Sequence, residues 1–430
     1  MSLTQHHRWV KNSVRSLLLA TFALMAGCGP GPSGGKIVLR IADWGGAGDD
    51  SVSAQIERDV YAGFEKLYPN IEIQREGIPG SQDYVKKILL GFISHSEPDV
   101  IRLDASSAAV FVDNDILLDL APLTNGKQGI NLSDFFPNTL EVAQRGKSIY
   151  AIPVDFTPMV MYYNRRLFDE AHVPYPTENW TWAEFLDRAQ KLTKGDRFGY
   201  TFTNWMAGWI LWIWNNSGDV LDQHGKASST ATSQSTVDAV TFIRDLVNKY
   251  KVAPSLSQQA AEGALPFANG DAAMEMSGHW NLTTLTSAPK IHLDDVGVAP
   301  IPVSQPGQKP VTVLYESGWA IGKHSQHTDA AWKFIRYFTS AAVQRQLQKT
   351  GIGVCARKDI ANERAVNDRE REFLKIVPSG KNPWGAKVQG YDFVEDEGTK
   401  MMDSVLKSGK DPRAALKDFA SNVDRELGKQ

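Results

Sequence analysis

Apolar and polar positions along the chain follow two rhythms, one of period two and one near 3.6, and the two alternate in an order that predicts an α/β protein. Ile37-Val-Leu-Arg-Ile-Ala42 is a short β-branched run, read as a buried first strand that ends in Asp43-Trp44-Gly45-Gly46. Ile56, Val60, Phe64 and Leu67 recur at helical spacing, and Pro69 stops that helix. Ile71 and Ile73 alternate as the next strand. A second helix over 83–94 carries Val85, Ile88, Leu89 and Phe92 on one face, and Pro98-Asp-Val-Ile-Arg-Leu103 then returns as a strand ending in Asp104-Ala-Ser-Ser107. Ligands in open α/β sheets sit outside the carboxyl ends of strands. Trp44 is therefore either a wall of a site or a cover on the core edge, and Asp104 either lines the site or caps the next helix.

The stretch Lys147-Ser-Ile-Tyr-Ala-Ile-Pro-Val-Asp-Phe-Thr-Pro-Met-Val-Met-Tyr-Tyr-Asn-Arg-Arg-Leu-Phe168 is central. Extended segments at 148–154 and 159–164 are joined by Asp155-Phe156-Thr157-Pro158, and both prolines disfavour helix in the residue before them. Such a segment can carry the chain between two lobes and leave Asp155 in the gap. Downstream, Thr181 and Glu184 form a capping box that starts a helix over 182–192, with Trp180 and Trp182 packing locally. Trp205, Trp209 and Trp212 share one helical face, followed by Trp214. This stripe is either core or ligand platform. A buried indole needs a partner for its N–H, so not all four are expected in the core, and Trp205 and Trp209 are the candidates to face the cleft. Helices are expected over 236–250, 329–338 and 413–427, and extended chain over 295–302 and 311–321, the latter through Glu316-Ser317-Gly318-Trp319.

At 430 residues and 42% hydrophobic content the chain has room for two domains. A net charge of -3, with no long single-sign run, gives no reason to expect nucleic acid or an anionic membrane surface as partner. Two cysteines, Cys28 and Cys355, make no disulfide framework. Residues 1–27 have a basic start, an apolar run over 17–25 and small residues Ala26-Gly27 before Cys28, the layout of a secretory signal. A nine-residue run is too short to span a bilayer as a helix. Leu-Met-Ala-Gly-Cys28 resembles a bacterial lipobox, with Met25 in place of the usual Leu, which implies lipidation of Cys28. Gly29-Pro30-Gly31-Pro32-Ser33-Gly34-Gly35 then supplies a flexible tether.

The 147–168 stretch resembles the Gly-Lys-x-Tyr-x-Ile-Pro-x-Asp…Tyr-Asn-x-x-Leu-Phe crossing of extracellular solute-binding proteins of ABC sugar importers. Pro98-Asp-Val…Asp104 is similar to that family's cleft loop. Phe267-Ala-Asn-Gly-Asp-Ala-Ala-Met274…Ser-Gly-His-Trp280 matches its most specific motif, and Ala330-Ala-Trp-Lys-Phe334 its return helix. The resemblance covers about residues 37–427. It implies a two-lobed α/β fold of the periplasmic-binding-protein type II class. Lobe 1 comprises residues 37–152 and 319–365 and lobe 2 residues 153–318 and 366–430, after a signal at 1–27 and a tether at 28–36. Ligand-lining residues are expected to be Trp44, Asp104, Asp155, Trp205, Trp209, Gly278, Trp280, Glu316, Trp319, Arg357 and Trp384. Gly278 lets the backbone approach a ligand and Trp280 stacks on a sugar face. Cys355 stands where relatives carry a Pro, just before Arg357. The expected partners are a sugar ligand and the membrane-spanning permease subunits, with a monomeric, exported chain held to the membrane through Cys28.

Phosphate-loop, nucleophile-elbow and zincin motifs are absent from the sequence, and no cofactor or metal is expected. His324 and His327 alone do not make a metal site. A secreted glycoside-active enzyme is the rival, with Asp104, Asp155 and Glu316 as its carboxylates. A second alternative keeps the fold but changes the ligand to a polyamine, which would need several carboxylates, to a phosphodiester or to a metal chelate.

Overall fold

The structure, a computed structural model, describes residues 35–44, 52–78, 81–261, 266–365 and 367–429. The signal segment, Cys28 and the Gly45-Gly46 turn lie outside the described residues.

The first α/β half folds in the expected order: β1 (Ile37–Asp43), α1 (Val52–Leu67), β2 (Ile71–Gly77), α2 (Ser81–Ile93) and β3 (Val100–Asp104). β1 lies between β2 and β3, parallel to both, with Ile41 opposite Arg75 on one side and Val100 on the other. Alternation along β1 puts Leu39 and Ile41 into the core, where Val60 and Phe64 of α1 meet them.

The crossing stretch is more continuous than the sequence suggests. β4 (Ile152–Pro158) runs straight through Asp155-Phe156-Thr157-Pro158, because all four pair with β8 (Thr312–Ile321) and the first two also with β9 (Val354–Cys355). β8 is the pivot of the main sheet. It lies antiparallel to β3 on one edge and to β4 on the other, giving the order β9-β4-β8-β3-β1-β2, with β10 (Gly380–Lys381) beside β8. Its pairing with β4 shifts register between Ser317 and Gly318.

A second sheet has β5 (Val160–Asn164) flanked antiparallel by β6 (Met274–Ser277) and β7 (Val296–Ala299). Around it pack α3 (Trp182–Leu192), α4 (Met206–Trp214), α5 (Gln234–Asn248), α6 (Asn281–Thr286), α7 (Thr328–Phe338), α8 (Asp368–Ile376), α9 (Tyr391–Leu406) and α10 (Pro412–Leu427), α7 against the first half of the molecule. The capping box forms as read: Thr181 N donates to Glu184 Oε2 at 2.8 Å and Glu184 N to Thr181 Oγ1 at 3.3 Å. Trp180 and Trp182 donate to Pro300 O and Pro302 O, so both are structural.

The tryptophan stripe departs from expectation. Every residue of α4 is buried, which makes it a core helix apolar all round rather than an amphipathic one. Trp209, Trp212 and Trp214 are all inside, and the indole N–H groups of Trp209 and Trp214 meet no acceptor among the described residues. Of the four, only Trp205 stays out of the core, half-buried just before α4, whereas Trp209, the other candidate for the cleft, is inside. Edge-to-face contacts with Phe185 and Tyr200 occupy the Trp212 ring instead.

Candidate functional site

A cleft of about 340 Å³ opens where β1, β3, β4 and β8 end or cross. Of the expected site residues, Trp44, Asp104, Asp155, Trp280 and Glu316 line it together. Asp104 is the last residue of β3. Its Oδ1 accepts the Ser106 N–H at 2.8 Å, a turn within the loop, and Ser107, not Asp104, stands at the N-cap position of the next helix, without a side-chain capping bond. Burial and the nearby Asp155 raise the Asp104 carboxyl, against the lowering effect of the Ser106 hydrogen bonds and Arg102.

Asp155 is reached by two donors. Arg102 Nη2 sits 2.5 Å from its Oδ2, and Ser317 Oγ donates to Oδ1 at 2.7 Å while accepting from Arg102. The pairing of Asp155 with Ser317, and of Ser317 with Asp104, places these groups side by side across three strands. Arg102 also lies over Trp319 at 4.9 Å and Trp44 at 5.6 Å. A second ion pair system stands beside it: Arg75 donates to Asp43 and to Glu57 at 2.8 Å each, and Tyr61 OH donates to Asp43 at 3.0 Å.

Trp280 caps the start of α6 and is half-buried. It forms an aromatic triad with Tyr315 and Trp205: Trp205 stacks on Tyr315 at 5.8 Å between ring centroids, and Trp280 stands 6.2 Å from Trp205 and 6.1 Å from Tyr315. Trp280 and Tyr315 face the cleft, and Trp205, just before α4, backs them.

Four expectations move elsewhere. Trp209 is fully buried against Gly398 of α9, where a Cβ at 398 would come within 2.3 Å of its ring. Trp319 is fully buried below the cleft between Phe334 and Phe338. Arg357 turns away from the cleft because two carboxylates hold it, Asp134 at 2.9 Å and Asp359 at 3.0 Å. Trp384 donates to Asp219 at 3.1 Å on a separate cavity lined also by Trp214 and Lys381. Gly278 has a steric role beside Trp280. A Cβ there would meet the Trp280 ring at 2.3 Å, so glycine makes room for that indole to fold back.

Sequence reading missed Arg75, Arg102, Glu57, Tyr315, Gln344 and Gln348, all on the cleft wall. An arginine inside the apolar run Val100-Ile-Arg-Leu-Asp104 was the available signal, since a charge on a buried strand needs a partner. Cys355, at the position where a Pro was expected, donates its Sγ–H to Gln344 Oε1 at 2.7 Å, and burial pushes its thiol up to about 12.

Residues 48–345 match the family model of bacterial extracellular solute-binding proteins. The chain belongs to that family. Among solved structures, this solute-binding protein is similar to the ABC substrate-binding protein Lmo0181 of Listeria monocytogenes in complex with cycloalternan. The TM-score is 0.80 at 22% identity, over 91% of this chain and 99% of that one. It is likewise similar to the GacH receptor of Streptomyces glaucescens, known unliganded and with acarbose, with TM-score 0.79 at 21% identity over 91% and 99%. The fold is therefore the two-lobed α/β fold of these binding proteins. An uncharacterized lipoprotein from the oleD 5′ region of Streptomyces antibioticus is 29% identical over 194 residues, 44% of this chain and 41% of that protein. The match thus spans less than half the length of that relative. Among the described residues no helix is long and apolar enough to cross a membrane.

Proposed function

We propose that this solute-binding protein is the extracytoplasmic component of an ABC importer that takes a sugar or oligosaccharide, closes two lobes around it and hands it to the permease. The supporting observation is the facing of Trp280 and Tyr315 against the polar wall of Asp104, Asp155 and Glu316 in one cleft. Sugars present C–H faces to aromatic rings and hydroxyls to carboxylates, which is the pairing this wall offers. The complexes of Lmo0181 with cycloalternan and of GacH with acarbose agree with that reading. In this reading the lobes are residues 37–152 with 319–365 and residues 153–318 with 366–430. β4 and β8 then carry the chain between them and serve as hinge. Closure is a population shift driven by tighter binding to the closed state.

Small-angle scattering at saturating ligand tests the mechanism, using any neutral oligosaccharide that raises the melting temperature. The radius of gyration falls on binding, and chromatography recovers the sugar intact. An unchanged radius would sink lobe closure, and a cleaved sugar would restore the glycosidase rival. The chain is further proposed to be monomeric and anchored through a lipid on Cys28. Metabolic labelling with a fatty acid then marks the wild type and not Cys28→Ser, and label kept by the variant would overturn the anchor.

A further inference from the structure

Five carboxylates line the cleft, those of Asp43, Glu57, Asp104, Asp155 and Glu316, against two guanidinium groups, Arg75 and Arg102. Both cations are already committed. Arg75 is taken by Asp43 and Glu57, Arg102 by Asp155. Asp104 is held by Ser106, through its backbone N–H and its side chain, and by no cation. Glu316 is only 2% exposed, and among the described residues no donor reaches its carboxyl group. Its Oε1 lies 3.0 Å from where a Cβ of residue 318 would stand, so Gly318 leaves room for this group on the cleft wall. A second buried acceptor on the same wall, Gln348 Oε1, also meets no donor among the described residues.

A carboxylate taken from water without a donor or counter-charge is costly, so such a group points to a missing partner. With five carboxylates against two guanidinium groups, the cleft is short of positive charge. A neutral hydroxyl donates one hydrogen and brings acceptor lone pairs of its own. An ammonium group brings three donors, no acceptor and the charge that is lacking.

We propose that the solute carries an ammonium group, as in a saccharide with a free amine, seated against Glu316 and Asp104 with its ring on Trp280 and Tyr315. This rests on the sugar-binding reading above and narrows it. The groups that face the seat are Arg102 and Asp104 of β3, Asp155 of β4, Tyr315 of β8 and Glu395 of α9, with Asp43, Glu57 and Arg75 beyond. Burial and the neighbouring Asp155 and Asp104 hold the Glu316 carboxyl well above its ordinary range. An ammonium group beside it favours the ionised form and so drives proton release on binding. Affinity therefore rises with pH for as long as the carboxyl is protonated in the free protein and the amine stays charged.

The test is calorimetric titration of the purified chain near neutral pH with glucosamine, galactosamine, mannosamine and free-amine chitobiose. Their N-acetylated forms, the parent neutral sugars and spermidine complete the panel. At least one amino sugar binds about tenfold or more tighter than its N-acetylated and neutral counterparts, the factor that about 1.4 kcal/mol of charge pairing supplies. Titrations in buffers of different ionisation heat show proton release, and Glu316→Gln erases the preference. Neutral or acetylated sugars binding as tightly as the amines would overturn the ammonium seat and leave the sugar reading standing. Spermidine bound more tightly than every saccharide would overturn the sugar reading. Failure of every amine overturns the proposal, whatever the neutral sugars do.

Discussion

Two groups of tryptophans in one molecule have opposite fates. Trp209, Trp212 and Trp214 lie inside a helix that is buried on every side, whereas Trp44, Trp205 and Trp280 are half-buried or exposed around the cleft. For Trp209 and Trp212 against the cleft rings the difference lies in position on the element, while Trp214, the last residue of α4, is covered from outside by Lys381. Trp44 directly follows β1, Trp205 precedes α4 and Trp280 precedes α6. A ring in the middle of a buried helix is surrounded by neighbouring turns and packed elements. A ring at an end, where the backbone departs, can reach past the element to the gap between lobes.

The largest effect that can break this comparison is on stability. Trp209→Ala is expected to cost about 3–5 kcal/mol in chemical denaturation, through lost burial and the cavity left beside Gly398, with ligand affinity little changed in the folded fraction. Trp280→Ala is expected to cost about 1–3 kcal/mol of binding by calorimetry, and far less stability. Similar stability losses in both variants would show that the cleft ring is merely core.

The smallest effect sharpens the core side. Glu275 on β6 is held among buried groups near Tyr162 and Tyr200, and burial raises it from 4.5 to about 7, offset in part by the Asn281 amide. A carboxyl raised in the folded state binds its proton more tightly there than in the unfolded chain. The stability it lends is thus fully present below 4.5 and is lost as pH rises through about 7. Melting temperature of the ligand-free protein is expected to decline over that window, by about a few degrees. Glu275→Gln flattens the decline. A profile that is identical in the variant would place the pH dependence elsewhere, with Glu395, raised to about 8 chiefly by burial and Asp104, as the cleft-side alternative.

Much of the fold was legible because its elements are strongly periodic: β1 to β3, the capping box at Thr181 and the α7 and α10 helices fall where apolar spacing puts them. Asp104 and Trp280 were legible at a strand end and a helix start, and Asp155 and Glu316 as residues of the two extended crossing segments. Arg102 and Arg75 were not, since their roles depend on strand register, which sets Ser317 opposite Asp104 and Asp155 but leaves no local trace. Arg357 and Trp384 misled for the same reason. Each has a counter-charge or acceptor supplied from far along the chain, Asp134 in one case and Asp219 in the other. Trp209 misled because periodicity reports that a face is apolar, not what it faces.

The position of β8 in the main sheet has a consequence for how the molecule comes into being. Ala320 pairs with Ile101 and Glu316 with Phe156, so the strand that completes the first α/β half is among the later parts of the chain to be made. Until residues 312–321 are available, β3 has an open edge and Arg102 and Asp155 have no Ser317 between them. Closing such long-range pairings is slow, because loop-closure entropy is lost before the contacts form. A nascent chain of this topology therefore stays unfolded while its first half emerges. For a member of an extracellular family, that delay leaves time for passage through a secretory channel before the sheet locks.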